Sequence, residues 1–287
     1  MGMLLEGTPD PMQVGAFLML LRYRGEDSHE IAGLVEAARA ACVLPDLRVD
    51  LDWPSYGAGR TRGAPWFLLA ALALARSGVR VLMHGSNEFG AGMSVPQALE
   101  RLGIRPALDA GAAREALARD GFAYLPVQAL CPKLAELLGL RRLFGLRSPV
   151  NTVARLLDPA GAAAGVDGVF HPPYIETHLA TAELLDRPRL LVLKGGGGEA
   201  ERNPVRPVAA HLYVRGDGRR VLALPALTDA VETEEPDIGA VWRGEVASVG
   251  VEARVIGTIA LGLLALGRGG DEEAAAVWRG RWLNSST

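Results

Sequence analysis

Over residues 1–43 the apolar positions recur at helical spacing. Val14, Phe17, Leu18 and Leu21 fall along one helix. Its start is marked by Asp10-Pro11-Met12-Gln13, which places an acid at the cap, proline at the first helical position and glutamine three residues after the cap. Asp27 and Glu30 repeat the device ahead of Ile31-Ala-Gly-Leu34, and Gly25 separates the two helices. The pattern predicts an αα-hairpin with no strand of its own.

From Pro45 the pattern changes. Short β-rich runs at Val49–Trp53, Val79–Met83, Phe122–Val127, Val166–Phe170, Leu190–Lys194 and Ala210–Val214 alternate with helical segments such as Pro65–Arg76, Ala112–Arg119 and Pro172–Leu185. This alternation predicts an α/β fold, a mostly parallel central sheet with helices on both faces. A helical stretch, Leu130–Leu157, interrupts it and is expected to return to the first hairpin. The expected organisation is therefore a small all-helical domain of residues 1–43, completed by about 130–157, and a larger α/β domain of 44–129 and 158–287.

Composition refines this picture. Apolar residues make up 49% of the chain and aromatics only 6%, so the core is built mostly from Leu, Val and Ala. Two cysteines, Cys42 and Cys131, make no disulfide framework; two buried thiols in a reducing, cytoplasmic setting fit them best. The apolar run Val255–Gly267 is shorter than the roughly 20 residues that a bilayer requires, so it reads as a buried helix, and no signal peptide or membrane partner is expected. A net charge of -3 excludes a globally basic nucleic-acid binder but not a local basic groove. Only Lys133 and Lys194 are lysines; the other basic residues are arginines, whose planar guanidiniums suit phosphate.

Three of the predicted strands exit into glycine-rich segments: Trp53 to Gly63, His84 to Gly92, and Lys194 to Pro204. Glycine clusters let backbone N–H groups approach an anion, and in open α/β sheets ligands bind at the carboxyl ends of strands. Candidate ligand residues are accordingly Tyr56, Gly57, Gly59, Arg60 and Arg62 on the first exit, His84, Gly85, Ser86 and Asn87 on the second, and Lys194 and Gly197 on the third. Arg60 and Arg62 read either as phosphate contacts or as solvated loop charge. His84 meets a ligand or caps a buried turn. Glu199 and Glu201 hold a cation or pair with Arg202. Trp66 and Phe67 read as helix core, although Trp53, Tyr56 or Trp66 would also serve as a base-stacking face.

These segments, in this order, resemble the anthranilate phosphoribosyltransferase family. The resemblance rests on Gly15–Leu34, on Ser77-Gly-Val-Arg-Val-Leu-Met-His-Gly85, on Gly145–Pro159, on Val169-Phe-His-Pro172 and on Lys194-Gly-Gly-Gly-Gly198, and spans about residues 11–285. It implies the nucleoside phosphorylase/phosphoribosyltransferase type of catalytic domain, a homodimer through the helical domain, and an acceptor-binding arginine at Arg147. It also implies that the chain begins about one helix late for the family.

The departures bear on chemistry. Where the enzymes carry a Gly-Thr-Gly-Gly-Asp-Gly loop for pyrophosphate, this chain has Tyr56-Gly-Ala-Gly-Arg-Thr-Arg-Gly63. Their Asn-x-Ser-Thr motif becomes Ala64-Pro-Trp-Phe-Leu68, and their Lys-His-Gly-Asn becomes Met83-His-Gly-Ser86. Their magnesium-holding Asp-Glu pair aligns with Ala200 and Glu201. No cofactor is certain; magnesium, if bound, falls to Glu199 and Glu201. The replacements resemble a second subfamily of this fold, which includes a dimer that binds single-stranded nucleic acid without sequence preference. Two functions follow: binding of single-stranded DNA or RNA through arginines around the old active-site cleft, of which Arg147 has a stronger case than Arg141 or Arg142, or phosphoribosyl transfer from phosphoribosyl pyrophosphate to an unidentified, at the limit anthranilate-like, acceptor.

Overall fold

The computed structural model describes residues 1–42, 44, 47–57, 63–86, 91–230 and 235–282. It opens with three helices, α1 (Gly2–Glu6), α2 (Pro11–Arg24) and α3 (Ser28–Ala41). Both expected capping boxes form: Asp10 with Gln13 starts α2, and Asp27 with Glu30 starts α3. The αβ alternation then runs β1 (Leu51–Ser55), α4 (Trp66–Arg76), β2 (Val81–Gly85), α5 (Val95–Arg101), α6 (Ala110–Asp120) and β3 (Phe122–Pro126). Four short helices follow, α7 (Val127–Leu130), α8 (Pro132–Gly139), α9 (Arg141–Phe144) and α10 (Val150–Arg155). The chain returns to the sheet through β4 (Ala164–Val169), α11 (Pro173–Leu184), β5 (Arg189–Lys194), β6 (Val208–Val214) and β7 (Gly218–Leu224). It closes with α12 (Ile238–Arg243), α13 (Val249–Leu266) and α14 (Asp271–Gly280).

The seven strands lie in the order β3-β2-β1-β4-β5-β6-β7. The first five are mutually parallel, and β6 and β7 add an antiparallel edge. The small helical N-terminal part and the mostly parallel sheet are as the sequence pattern implies. The edge strand β7 is not: its Arg219 and Arg220 face solvent, so it lacks the apolar signal of a buried strand.

One core lies on each face of the sheet. On one side α4 and α13 pack together, α13 against β4 and β5 and α4 against β2 and β3. Close approach is made possible at Gly262, where a Cβ would fall 2.6 Å from Leu74 Cδ1. The apolar run after Arg254 is the second half of α13, which is 18 residues long and mostly buried inside the protein. On the other side α3 packs on α10 and α11, while α1 packs on α3 and α8. Cys42 and Cys131 are both buried in this second core as free thiols. Strand order reverses between β1 and β4, so the crevice at their carboxyl ends is the topological switch point where ligands of open α/β sheets bind.

Candidate functional site

The glycine-rich exits do converge at one end of the sheet, because β1, β2 and β5 run parallel. They are not three adjacent strands: β4 stands between β1 and β5. Ser55 pairs with Gly85, and Ser86 N donates to Ser55 O at 3.1 Å. A Cβ on Gly85 would overlap that same carbonyl, so only glycine allows the two exits to meet. On the other flank the Glu199 carboxylate folds over Gly57 and lies 3.4 Å from Ser55 Oγ.

Carboxylates of the chain also occupy the start of α4. Glu201 Oε2 accepts from Phe67 N at 3.0 Å, and Glu235 Oε2 accepts from Ala64 N at 2.9 Å. The first-turn N–H groups of a helix attract anions through unmet hydrogen bonds and the helix dipole. Here Glu201 meets the Phe67 amide of the first turn, and Glu235 meets the Ala64 amide just before the cap residue Pro65.

Several sequence candidates change meaning. Gly59, Arg60, Arg62 and Asn87 lie outside the described residues. Tyr56 and His84 are buried: Tyr56 Oη is 2.9 Å from His84 Nδ1, and His84 Nε2 is 3.2 Å from Asp52 Oδ1. His84 therefore belongs to an internal polar chain and does not face a cleft. Trp53 and Trp66 are fully buried as well, so none of the three aromatics proposed as a stacking face is accessible; Trp66 and Phe67 are helix core. Glu199 and Glu201 point to separate partners, and among the described residues no group of three or more His, Cys, Asp or Glu is placed to hold a metal. Gly197 takes the left-handed conformation, φ 66°, in the turn after β5.

Arg147 does line a cleft, of about 280 Å³, between the helical domain and the exit of β4. Arg22 of α2, Arg155 of α10, and Phe170, Tyr174 and His178 from β4 and α11 complete the part that matters chemically. Arg155 Nη1 donates to Asp167 Oδ1 at 3.1 Å and to Gly168 O at 2.9 Å, and His178 Nδ1 lies 2.6 Å from Asp167 Oδ2. Burial pushes the Asp167 carboxyl up, but His178 and Arg155 more than offset this and hold it below the ordinary carboxylate range. Arg22 donates to Tyr174 Oη at 2.8 Å, and Tyr174 donates to Glu26 at 3.2 Å.

Arg147 has no ion-pair or hydrogen-bond partner among the described residues. Burial, then the nearby Arg155 and Arg141, pull its guanidinium down to about 10, so it stays charged at neutral pH in unfavourable surroundings. Sequence reasoning missed Arg22, Asp167, His178 and Phe170. Their only signal is position beside β4, or on a helix more than a hundred residues upstream in the case of Arg22. Lys194, by contrast, lines a separate pocket on the other side of α11.

Comparison with known proteins agrees with this geometry. Residues 1–42 match the helical bundle domain of the glycosyl transferase family, and residues 67–224 match its a/b domain. The chain belongs to glycosyl transferase family 3. Within that family, an anthranilate phosphoribosyltransferase of Pelotomaculum thermopropionicum is 31% identical over 229 residues, which covers 79% of this chain and 66% of that protein. The uncharacterized protein YbiB of Escherichia coli K12 is 30% identical over 249 residues, covering 83% and 77%. The match thus spans slightly less than two thirds of the Pelotomaculum enzyme and more of YbiB. Among solved structures, the anthranilate phosphoribosyltransferase of Thermus thermophilus aligns over 98% of this chain and 88% of its own, with a TM-score of 0.74 and 27% identity. The Saccharomyces cerevisiae enzyme in complex with PRPP and Mg shares the fold at a TM-score of 0.73 and 16% identity.

Proposed function

We propose that this member of glycosyl transferase family 3 binds single-stranded DNA or RNA, without sequence preference, through its arginine-lined cleft. The observation that carries this is Arg147: a half-buried cation without a counter-charge, beside two further guanidiniums. A phosphate relieves its electrostatic cost, and phosphate contacts carry no base code. Phe170, 44% exposed and edge-on to His171 at 4.8 Å, offers a stacking face beside those charges. On the donor side, a phosphoribosyl pyrophosphate would bring its charge toward amides already held by Glu201 and Glu235, where like charges repel.

The test is paired titration of one preparation with a fluorescent oligonucleotide and with phosphoribosyl pyrophosphate plus magnesium. Oligonucleotide binding that weakens steeply with salt is expected. Absence of oligonucleotide binding at low salt removes the reading.

The resemblance to anthranilate phosphoribosyltransferases over nearly the whole chain favours a second reading: phosphoribosyl transfer to an unidentified, anthranilate-like acceptor whose carboxylate meets Arg147. Magnesium, which bridges substrate phosphates, would then have to draw Glu199 and Glu201 from Ser55 and Phe67. Release of pyrophosphate on adding acceptor would establish this reading.

Both readings take the protein as a cytoplasmic homodimer. Met12, Leu20 and Tyr23 on α2 are 82%, 68% and 93% exposed, an apolar surface that a second copy would cover. Light scattering is expected to give twice the chain mass, and the Leu20→Asp variant half of that.

A further inference from the structure

A second concave cationic surface lies at the same end of the sheet. This pocket, of about 650 Å³, is lined among others by Lys194, Arg206, Arg254 and His211. Arg254 Nη1 faces Glu201 Oε1 at 3.7 Å. Arg202, in the pocket wall, is buried and held by Asp271 at 2.5 Å and by Pro225 O at 2.6 Å. Lys194 and Arg206 differ from both. They are exposed, and neither has an ion-pair or hydrogen-bond partner among the described residues. Two cations without a partner among the described residues thus stand in one concavity, beside the Gly195-Gly196 backbone.

The two pockets share a wall. His171 and Tyr174 line the arginine cleft, while their chain neighbours Pro172 and Ile175 line the second pocket. Successive Cα atoms are about 3.8 Å apart, so the two concavities stand back to back across one turn of backbone. That turn is the start of α11, which carries no side-chain cap, so the positive end of its dipole lies between them. Phe170, just before this turn, is 44% exposed and lines the arginine cleft.

We propose that the two pockets form one track for a single-stranded polyanion. Its phosphates are held by Arg22 and Arg147 on one side and by Lys194 and Arg206 on the other, and a base rests on Phe170. The inference rests on the nucleic-acid reading and adds the second half of the path. A ridge this narrow also selects flexibility. A duplex, with a persistence length of about 150 base pairs, does not fold over it, whereas a single strand does.

The experiment is fluorescence anisotropy on the full chain with a 12-nucleotide oligo-dT, across a range of salt. Lys194→Ala/Arg206→Ala is expected to weaken binding roughly tenfold at low salt and to reduce the salt slope by about 1.4, at about 0.7 for each phosphate no longer neutralised. Phe170→Ala is expected to weaken binding with the slope unchanged, because stacking releases no counterions. A duplex of the same length is expected to bind at least tenfold more weakly. Both substituted cations are exposed, so circular dichroism and melting should match wild type. Affinity and slope unchanged in the Lys194/Arg206 variant, while Arg147→Ala is impaired, would overturn the track and leave the single-cleft reading standing. Duplex binding equal to single-strand binding would overturn the ridge. Wild type that binds no oligonucleotide at low salt would remove both readings together.

Discussion

Glu201 Oε2 accepts the backbone N–H of Phe67 at 3.0 Å, so a carboxylate from the β5–β6 connection caps α4 from outside its own sequence. Pro65, the formal cap residue of that helix, has no side-chain donor or acceptor to do so. A carboxylate at a helix start is worth about 0.5–2 kcal/mol. Glu201 is 9% exposed, whereas Glu235, on Ala64 N, is exposed. Glu201→Ala is therefore expected to cost more stability than Glu235→Ala, about 1–2 kcal/mol against less than 1 kcal/mol, in urea unfolding. Equal costs would show that the two carboxylates contribute alike, whether inside the first turn or just before it.

Arg147 is expected to trade stability for binding. Its charge sits in partly buried surroundings next to Arg155 and Arg141. Arg147→Met keeps the stem and removes the charge. The variant should melt at the same temperature as wild type or higher, while its oligonucleotide affinity falls and its salt slope drops by about 0.7. A melting temperature several degrees lower would mean that Arg147 serves the fold and not a ligand.

Much of this architecture was legible in the chain. The caps at Asp10 and Asp27 were readable because a capping box is local: cap and partner lie three residues apart. The parallel strands were readable because burial on both faces leaves continuous apolar runs. The site was less so. Glu235 and Ala64 are 171 positions apart, and Arg22 and Tyr174 are 152 apart, so no spacing rule connects them. Trp53 and Tyr56 read as stacking surfaces because hydropathy does not tell a buried aromatic from an exposed one; Phe170 lies at the end of the β4 run and reads as strand, yet it is 44% exposed.

Asp167 gives a pH signature. Its folded-state carboxyl is held below the ordinary range by His178 and Arg155, so its contribution is present above the unfolded carboxylate range and is lost as pH falls through the depressed folded value. Asp167→Asn leaves a buried guanidinium and imidazole facing an amide, and breaking such a buried pair costs about 3–5 kcal/mol. The expected result is a stability gap of that order at pH 7 that narrows on acidification through pH 4 and below. A gap that stays constant to pH 2 would show that the loss is one of packing and not of charge.

The glycines around Glu199 separate two kinds of constraint. A Cβ on Gly168 would overlap the Glu199 carbonyl carbon and the Ala200 nitrogen, both backbone. A Cβ on Gly57 would overlap only the Glu199 carboxylate, the far end of a side chain. Backbone cannot move without carrying the Glu199–Glu201 turn, in which Glu201 N donates to Glu199 O at 2.8 Å, away from α4. A side chain can rotate. Gly168→Ala is thus expected to destabilise by about 3 kcal/mol or more and Gly57→Ala by about 1 kcal/mol. Hydrogen exchange gives the mechanism: the Phe67 amide should lose protection in Gly168→Ala, because its Glu201 partner is displaced, and keep it in Gly57→Ala. Loss of protection in both variants would mean that the Glu199 side chain, and not the backbone beneath it, holds Glu201 against the start of α4.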